Sequence, residues 1–169
     1  MRALKVAAAL LAALLVHVLG AWALPDLPRY LDLFLVVAVV NALDGRSAAG
    51  LAGGLAAGLT RDVLSGRLYG LHGFADTIAG YAVARAAQRL DIRGPGAVLV
   101  TAGLATLLQQ VVLLALAYLF TVPEPPEPFP VLVRSVANGT VAAAVWTLST
   151  RWRRVRETVQ RKRTSKIRL

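Results

Sequence analysis

Two carboxylates interrupt otherwise apolar stretches of this chain: Asp32, at the start of one run, and Asp76, about two helical turns into another. A carboxylate among apolar residues is costly when ionised, so it either meets a counter-charge or belongs to a pathway for protons or solutes. Asp32 lies close enough to the end of its run to reach an aqueous boundary. Asp76 does not, and Arg134, near the start of the last apolar run, is its expected counter-ion. The expectation is a structural ion pair rather than a proton relay, because no chain of relay residues accompanies it. Gln109 and Gln110, with Thr106 one turn earlier, stand mid-run and read as hydrogen-bonding links between helices. His17 is alone in a run of alanine and leucine, and His72 is too isolated to pair with it on a metal. The absence of cysteine excludes disulfides, thiolate nucleophiles and thiolate metal sites.

One spacing suggests an enzyme. Asn41, Asp44, Gly45, Ala49, Gly58 and Asp62 resemble the signature of membrane CDP-alcohol phosphotransferases, in which four aspartates hold two divalent metals. Here the first aspartate position is Asn41, the fourth is Gly66 and the arginine position is Ala49. Two metals need several oxygen anions converging on both ions, and two carboxylates of four do not provide them. No catalytic, cofactor-binding or metal-binding residue is assigned, and no cofactor is expected.

The elements that must position these residues are membrane helices. The chain of 169 residues is 57% hydrophobic with mean hydropathy +0.61, and its apolar residues fall into long runs separated by short polar or proline-rich stretches. Six helices are expected, over 4–24, 30–43, 47–64, 70–87, 95–122 and 131–150. The second is short for a layer of about 30 Å and must tilt, kink or thin the bilayer. The first apolar run is longer than a signal-peptide core and reads as a retained helix. The prolines of 123–130 rule that stretch out as helix. The fold class is therefore an all-α integral membrane bundle of six transmembrane helices over 1–150, followed by a basic cytoplasmic tail over 151–169.

Charge sets the orientation. With both termini cytoplasmic, the inner segments hold fifteen of the 19 lysines and arginines, nine of them between Arg151 and Arg168, and the outer segments hold Arg29, Arg61, Arg67 and Arg134. The reverse arrangement would translocate the basic tail, against the positive-inside tendency. The net charge of +10 is thus a topology signal and a surface for anionic lipid, not a nucleic-acid signal. Trp22 falls near the outer interface and Trp146 and Trp152 near the inner one, where tryptophan is enriched. Gly50, Gly54 and Gly58 recur every four residues beside Ala49, Gly53 and Ala57, and Ala9 with Ala13 forms a weaker small-residue pair. Such stripes allow close backbone approach, and packing inside the bundle is the simpler use for them.

Between Gly58 and Gly73 the chain carries Gly58, Leu59, Asp62, Ser65, Gly66, Gly70, Leu71 and His72, a pattern that resembles the MreD family of rod-shape-determining membrane proteins. Arg61 and Tyr69 depart from it, at positions more often aliphatic and more often proline or leucine. The six-helix hydropathy and basic tail fit as well. The resemblance implies a non-enzymatic scaffold of the bacterial inner membrane and of the cell-elongation machinery. Its implied partners are an MreC-like protein with one membrane helix and, as components it helps to couple, MreB filaments, RodA and the penicillin-binding partner of RodA. It also implies a fold like the substrate-binding subunits of energy-coupling-factor transporters, which makes a small-solute-binding subunit the alternative. Aromatic residues are sparse, 7% of the chain, and Tyr30, Tyr69 and Tyr118 are thin material for a solute pocket, so the scaffold is favoured. Ser65 and Gly66 read as a turn, and Asp62 as an acceptor of the amides that follow it, in the manner of an Asx turn. Gly58, Asp62, Ser65, Gly66, Gly70, His72 and Asp76 form the candidate motif for partner binding or helix angle; Ala9, Ala13, Gly50 and Gly54 are the candidates for helix packing.

Overall fold

The computed structural model describes residues 2–65, 70–120 and 128–165, and every element among them is helical. These are α1 (Arg2–Ala23), α2 (Leu27–Tyr30), α3 (Leu33–Ala42), α4 (Ser47–Ser65), α5 (Leu71–Arg89), α6 (Pro95–Leu119) and α7 (Pro128–Ser165). Three stretches, Leu4–Ala23, Pro95–Leu119 and Pro130–Trp152, are long and apolar enough to cross a bilayer on length and composition. α4 and α5 have 19 residues each, about 28 Å of helix, but glycine, alanine and polar residues dilute their apolar character.

The expectation of six spanning helices needs correction at the second of them. The stretch 30–43 is not one helix. α2 is a single turn with a proline in it, the chain is extended at Leu31 (φ −139°, ψ 128°), and α3 has only ten residues. That is about 15 Å, half of the apolar layer, so α3 does not cross it alone. Side chains of α7 explain the break. A continuous helix would bond the Asp32 amide to the Pro28 carbonyl. Instead Asp32 N–H donates to Asn138 Oδ1 at 2.9 Å, and Arg134 donates to the carbonyls of Pro28 (3.2 Å) and Arg29 (2.6 and 2.9 Å). Asp32 then caps α3, accepting from Leu35 N–H at 3.1 Å. Irregular backbone at this depth persists where protein groups bury and satisfy it.

α3 is the hub of the bundle. Phe34, Leu35, Val36, Ala38, Val39 and Ala42 are all buried, and the helix meets α1, α4, α5, α6 and α7. A helix that is apolar all round is one that protein surrounds. α4 and α5 pack closest. A Cβ on Gly50 would stand 2.5 Å from the Gly80 carbonyl oxygen, and one on Gly54 or Gly58 would collide with the carbonyl oxygens of Asp76 and His72. α6 and α7 pair through Gly139, where a Cβ would meet the Leu99 carbonyl at 2.7 Å, and through Ser135 Oγ, which donates to the Gly103 carbonyl at 2.9 Å. At the far end of α4 and α5, Gln88 Nε2 donates to the Gly45 carbonyl (2.7 Å) and Ser47 Oγ (2.9 Å), tying the α3–α4 turn to α5.

α7 starts earlier than expected, at Pro128. Pro128 and Pro130 are its first and third residues, where a helix has no use for the amide hydrogen that proline lacks, so those two prolines open the helix rather than exclude it. Residues 123–127 lie outside the described part. The helix continues without a break past Thr150 to Ser165.

Candidate functional site

Asp62 stands in the last turn of α4 with its carboxylate buried against the start of α5. Its Oδ2 accepts from the amides of Gly70 and Gly73, both at 2.9 Å, and its Oδ1 accepts from the His72 amide at 3.1 Å and contacts His72 Nδ1 at 2.8 Å. The Gly70 amide is at the N-cap of α5, and those of His72 and Gly73 lie in its first turn, whose N–H groups have no partner within the helix. Gly70 precedes that helix at φ 100° and has no side chain with which to cap it. Asp62 therefore caps α5 from the neighbouring helix, with its negative charge at the positive end of the α5 dipole. This corrects the Asx-turn expectation: the bonded amides lie eight to eleven residues on. Ser65 closes α4, its Oγ donating to the Asp62 carbonyl at 3.0 Å, and Gly66 lies outside the described residues.

A second polar cluster fills the centre of the bundle beside this cap. Asp32 pairs with Arg61 through Oδ2. Gln109 Nε2 donates to Asp32 Oδ2 at 3.0 Å and to Asp76 Oδ1 at 2.5 Å, which joins the α2–α3 link to α5 through α6. Asn138 Nδ2 donates to Thr106 Oγ1 at 3.1 Å, extending the network from α7 to α6. Asp32, Asp76, Thr106, Gln109 and Asn138 are all buried.

Two expectations change here. Asp32 does not reach an aqueous boundary, because the helix break places it inside the bundle as a cap. Arg134 is not the counter-ion of Asp76: its guanidinium is turned to the α2 carbonyls, and Asp76 has no ion pair among the described residues. The ion pair falls instead to Arg61 and Asp32. Arg61 was legible as a departure from the family pattern but not as a partner, although an arginine one residue before Asp62 in an apolar helix is as costly as a carboxylate and calls for one. Asn138, a lone amide in the last apolar run, is the other central residue that sequence reasoning passed over. Replacing Arg61 with Met is expected to destabilise the fold by about 2 kcal/mol, since it leaves the Asp32 carboxylate buried without its cation, and Asp32→Asn in the same chain is expected to recover at least half of that. Equilibrium unfolding in mixed detergent micelles measures both.

The remaining candidates divide by position. Gly50, Gly54 and Gly58 face α5, and Ala13 packs into a cluster with Phe34, Ala38 and Ala57. Ala9 is half-buried, whereas Ala8 and Ala12 on the same helix are exposed. His17 tilts against the Phe34 ring at 5.4 Å. Asp44 and Asp62 stand at opposite ends of α4, more than about 20 Å apart along it, so they cannot share a pair of metals, and Asn41 donates to the Ala49 carbonyl at 3.1 Å.

Every residue of the two clusters lies within one matched segment: the family model for the rod shape-determining protein MreD matches residues 3–147. The chain belongs to the MreD family. It is accordingly a rod-shape-determining membrane protein, in which Asp62 caps α5, His72 contacts that cap and Gly58 leaves room for the His72 carbonyl. No curated protein matches the chain, and no solved structure does.

Proposed function

We propose that this MreD-family protein is a non-catalytic scaffold of the inner membrane that binds a single-span MreC-like partner and helps couple MreB filaments to RodA and its penicillin-binding partner. The observation that carries the reading is the family match across residues 3–147. The structure supports it in two ways. Side chains clamp the backbone at one end of the bundle, Asp62 at the start of α5 and Arg134 with Asn138 at the α2–α3 break, so that end presents a fixed surface. α1 packs on one side only, leaving Leu4, Leu11, Leu15, Val18, Leu19 and Trp22 exposed, Trp22 by 88%. Ala8 and Ala12 on that exposed side allow a partner helix to come close.

In this reading the chain crosses the membrane six times, the second time through α2 and α3 together, with both termini cytoplasmic and the basic end of α7 near anionic lipid. Arg46, Arg85, Arg89 and Arg93 then share the inner end with the Gln88 tie, and Arg29, Arg61 and Arg134 share the outer end. A solute-binding subunit of the energy-coupling-factor type is the second reading. The broken α2–α3 segment favours it, since interrupted helices inside membranes recur at binding sites.

Co-expression with a tagged MreC-like protein from the same genome tests the scaffold directly. A stoichiometric complex is expected after detergent purification. Ala12→Trp is expected to reduce the recovered partner about tenfold, an effect of about 1.4 kcal/mol, without changing the unfolding of the protein itself. Two folded proteins that do not associate would shift the weight to the solute-binding reading.

A further inference from the structure

Asp76 is fully buried, with no exposed surface, yet only half of its carboxylate is used. Oδ1 accepts from Gln109, while Oδ2 has no hydrogen-bond partner among the described residues. Gln109 is in the same condition: its amide nitrogen serves two carboxylates, and its own Oε1, equally buried, has no donor. The carboxylate cannot leave. The backbone at Asp76 is pressed on Gly54, whose missing side chain is what lets α5 approach.

Charge does not balance around it. Of the groups that face Asp76, the α2–α3 link supplies the Asp32 carboxylate and α4 supplies the Arg61 guanidinium, which Asp32 already takes. Asp62 on α4 is spent on the α5 amides and on His72. α6 offers the neutral Gln109. Arg134 of α7 is committed to the α2 carbonyls, and His17 of α1 lies against Phe34. Among the described residues, three carboxylates thus meet two guanidinium groups. A buried uncompensated charge is far more costly than a paired one, so a positive charge must come to the carboxylate.

We propose that Asp76, with Gln109 beside it, is a binding site for one unit of positive charge, delivered as a proton or as a small alkali cation. The site is separate from the partner surface and independent of the scaffold reading.

The full-length protein in detergent is melted across a pH series and, at fixed ionic strength, in sodium, potassium and choline chloride, alongside Asp76→Asn. If the occupant is a proton, the melting temperature of the unmodified protein falls as pH rises and is the same in sodium and choline, because the folded state holds a proton that the unfolded chain releases. If it is an alkali cation, sodium or potassium raises the melting temperature above that in choline by mass action. Either dependence must be lost in Asp76→Asn. Its persistence there, or the absence of both dependences in the unmodified protein, overturns the proposal. Should Asp76→Asn fail to fold, Gln109→Met decides the matter. It keeps the carboxylate and removes its single amide donor together with the Gln109 Oε1, so a proton-linked fall must extend to higher pH, whereas an alkali-cation dependence must weaken; a dependence left unchanged overturns the proposal.

Discussion

Asp62→Ala is expected to destabilise the protein by about 4 kcal/mol, the larger of the two single-site effects argued here. The fully buried Gly73 amide loses its acceptor at a cost of up to about 3 kcal/mol, and the partly buried donors of Gly70 and His72 add a fraction of that each. Asp62→Asn separates charge and geometry from mere volume. Donors approach both carboxylate oxygens, so whichever way an asparagine amide is turned, its NH2 faces a backbone N–H. Asp62→Asn is therefore expected to fall within about 1 kcal/mol of Asp62→Ala, where an acceptor-only site of this kind leaves the amide little to gain. Equilibrium unfolding in mixed micelles reads both, and co-purification with the MreC-like partner tests whether the α5 cap also serves binding. An Asp62→Ala protein that unfolds normally and keeps its partner would remove Asp62 from both roles.

Gly54→Ala is expected to cost about 3 kcal/mol, at the upper end of overpacking effects, because nothing near the new methyl can move aside. It would collide with the Asp76 carbonyl oxygen, stand 2.7 Å from the carbonyl carbon and 2.9 Å from Thr77 Cα, all of them backbone. Relief requires α4 and α5 to separate, which also draws Asp76 away from Gln109. Gly96→Ala is the matched control. A Cβ there meets nothing within 4 Å, and the position is the second residue of α6, so replacement is expected to stabilise by about 0.5 kcal/mol through the unfolded chain. Equal unfolding midpoints for the two variants would show that the α4–α5 contact does not limit stability.

Much of this protein could be read in one dimension. Long apolar runs ended by Pro25, Gly45 and the prolines near 125 mark helices because proline and glycine end them for local steric reasons. Gly50, Gly54 and Gly58 at intervals of four mark one face of one helix, since the helical period is a property of the backbone alone. Asp62 with Gly70 and His72 was recognisable as a unit through its resemblance to the family pattern, though not as a helix cap.

Tertiary structure decided the rest, above all which charges meet. Chain position gives the depth of a side chain but not its azimuth, and ion pairing depends on both. Depth alone set Arg134 opposite Asp76. The bundle turns Arg134 to the α2 carbonyls, brings Arg61 to Asp32 and leaves Asp76 with Gln109. The break between α2 and α3 escaped the sequence for a related reason. Neither Leu31 nor Asp32 is a proline or a glycine; what opens the helix there is Asn138, 106 positions later, which takes the Asp32 amide, and Arg134, which takes the carbonyl that amide would have used. Hydropathy reports the solvent a segment prefers, and it contains no information about a hydrogen bond supplied by another helix.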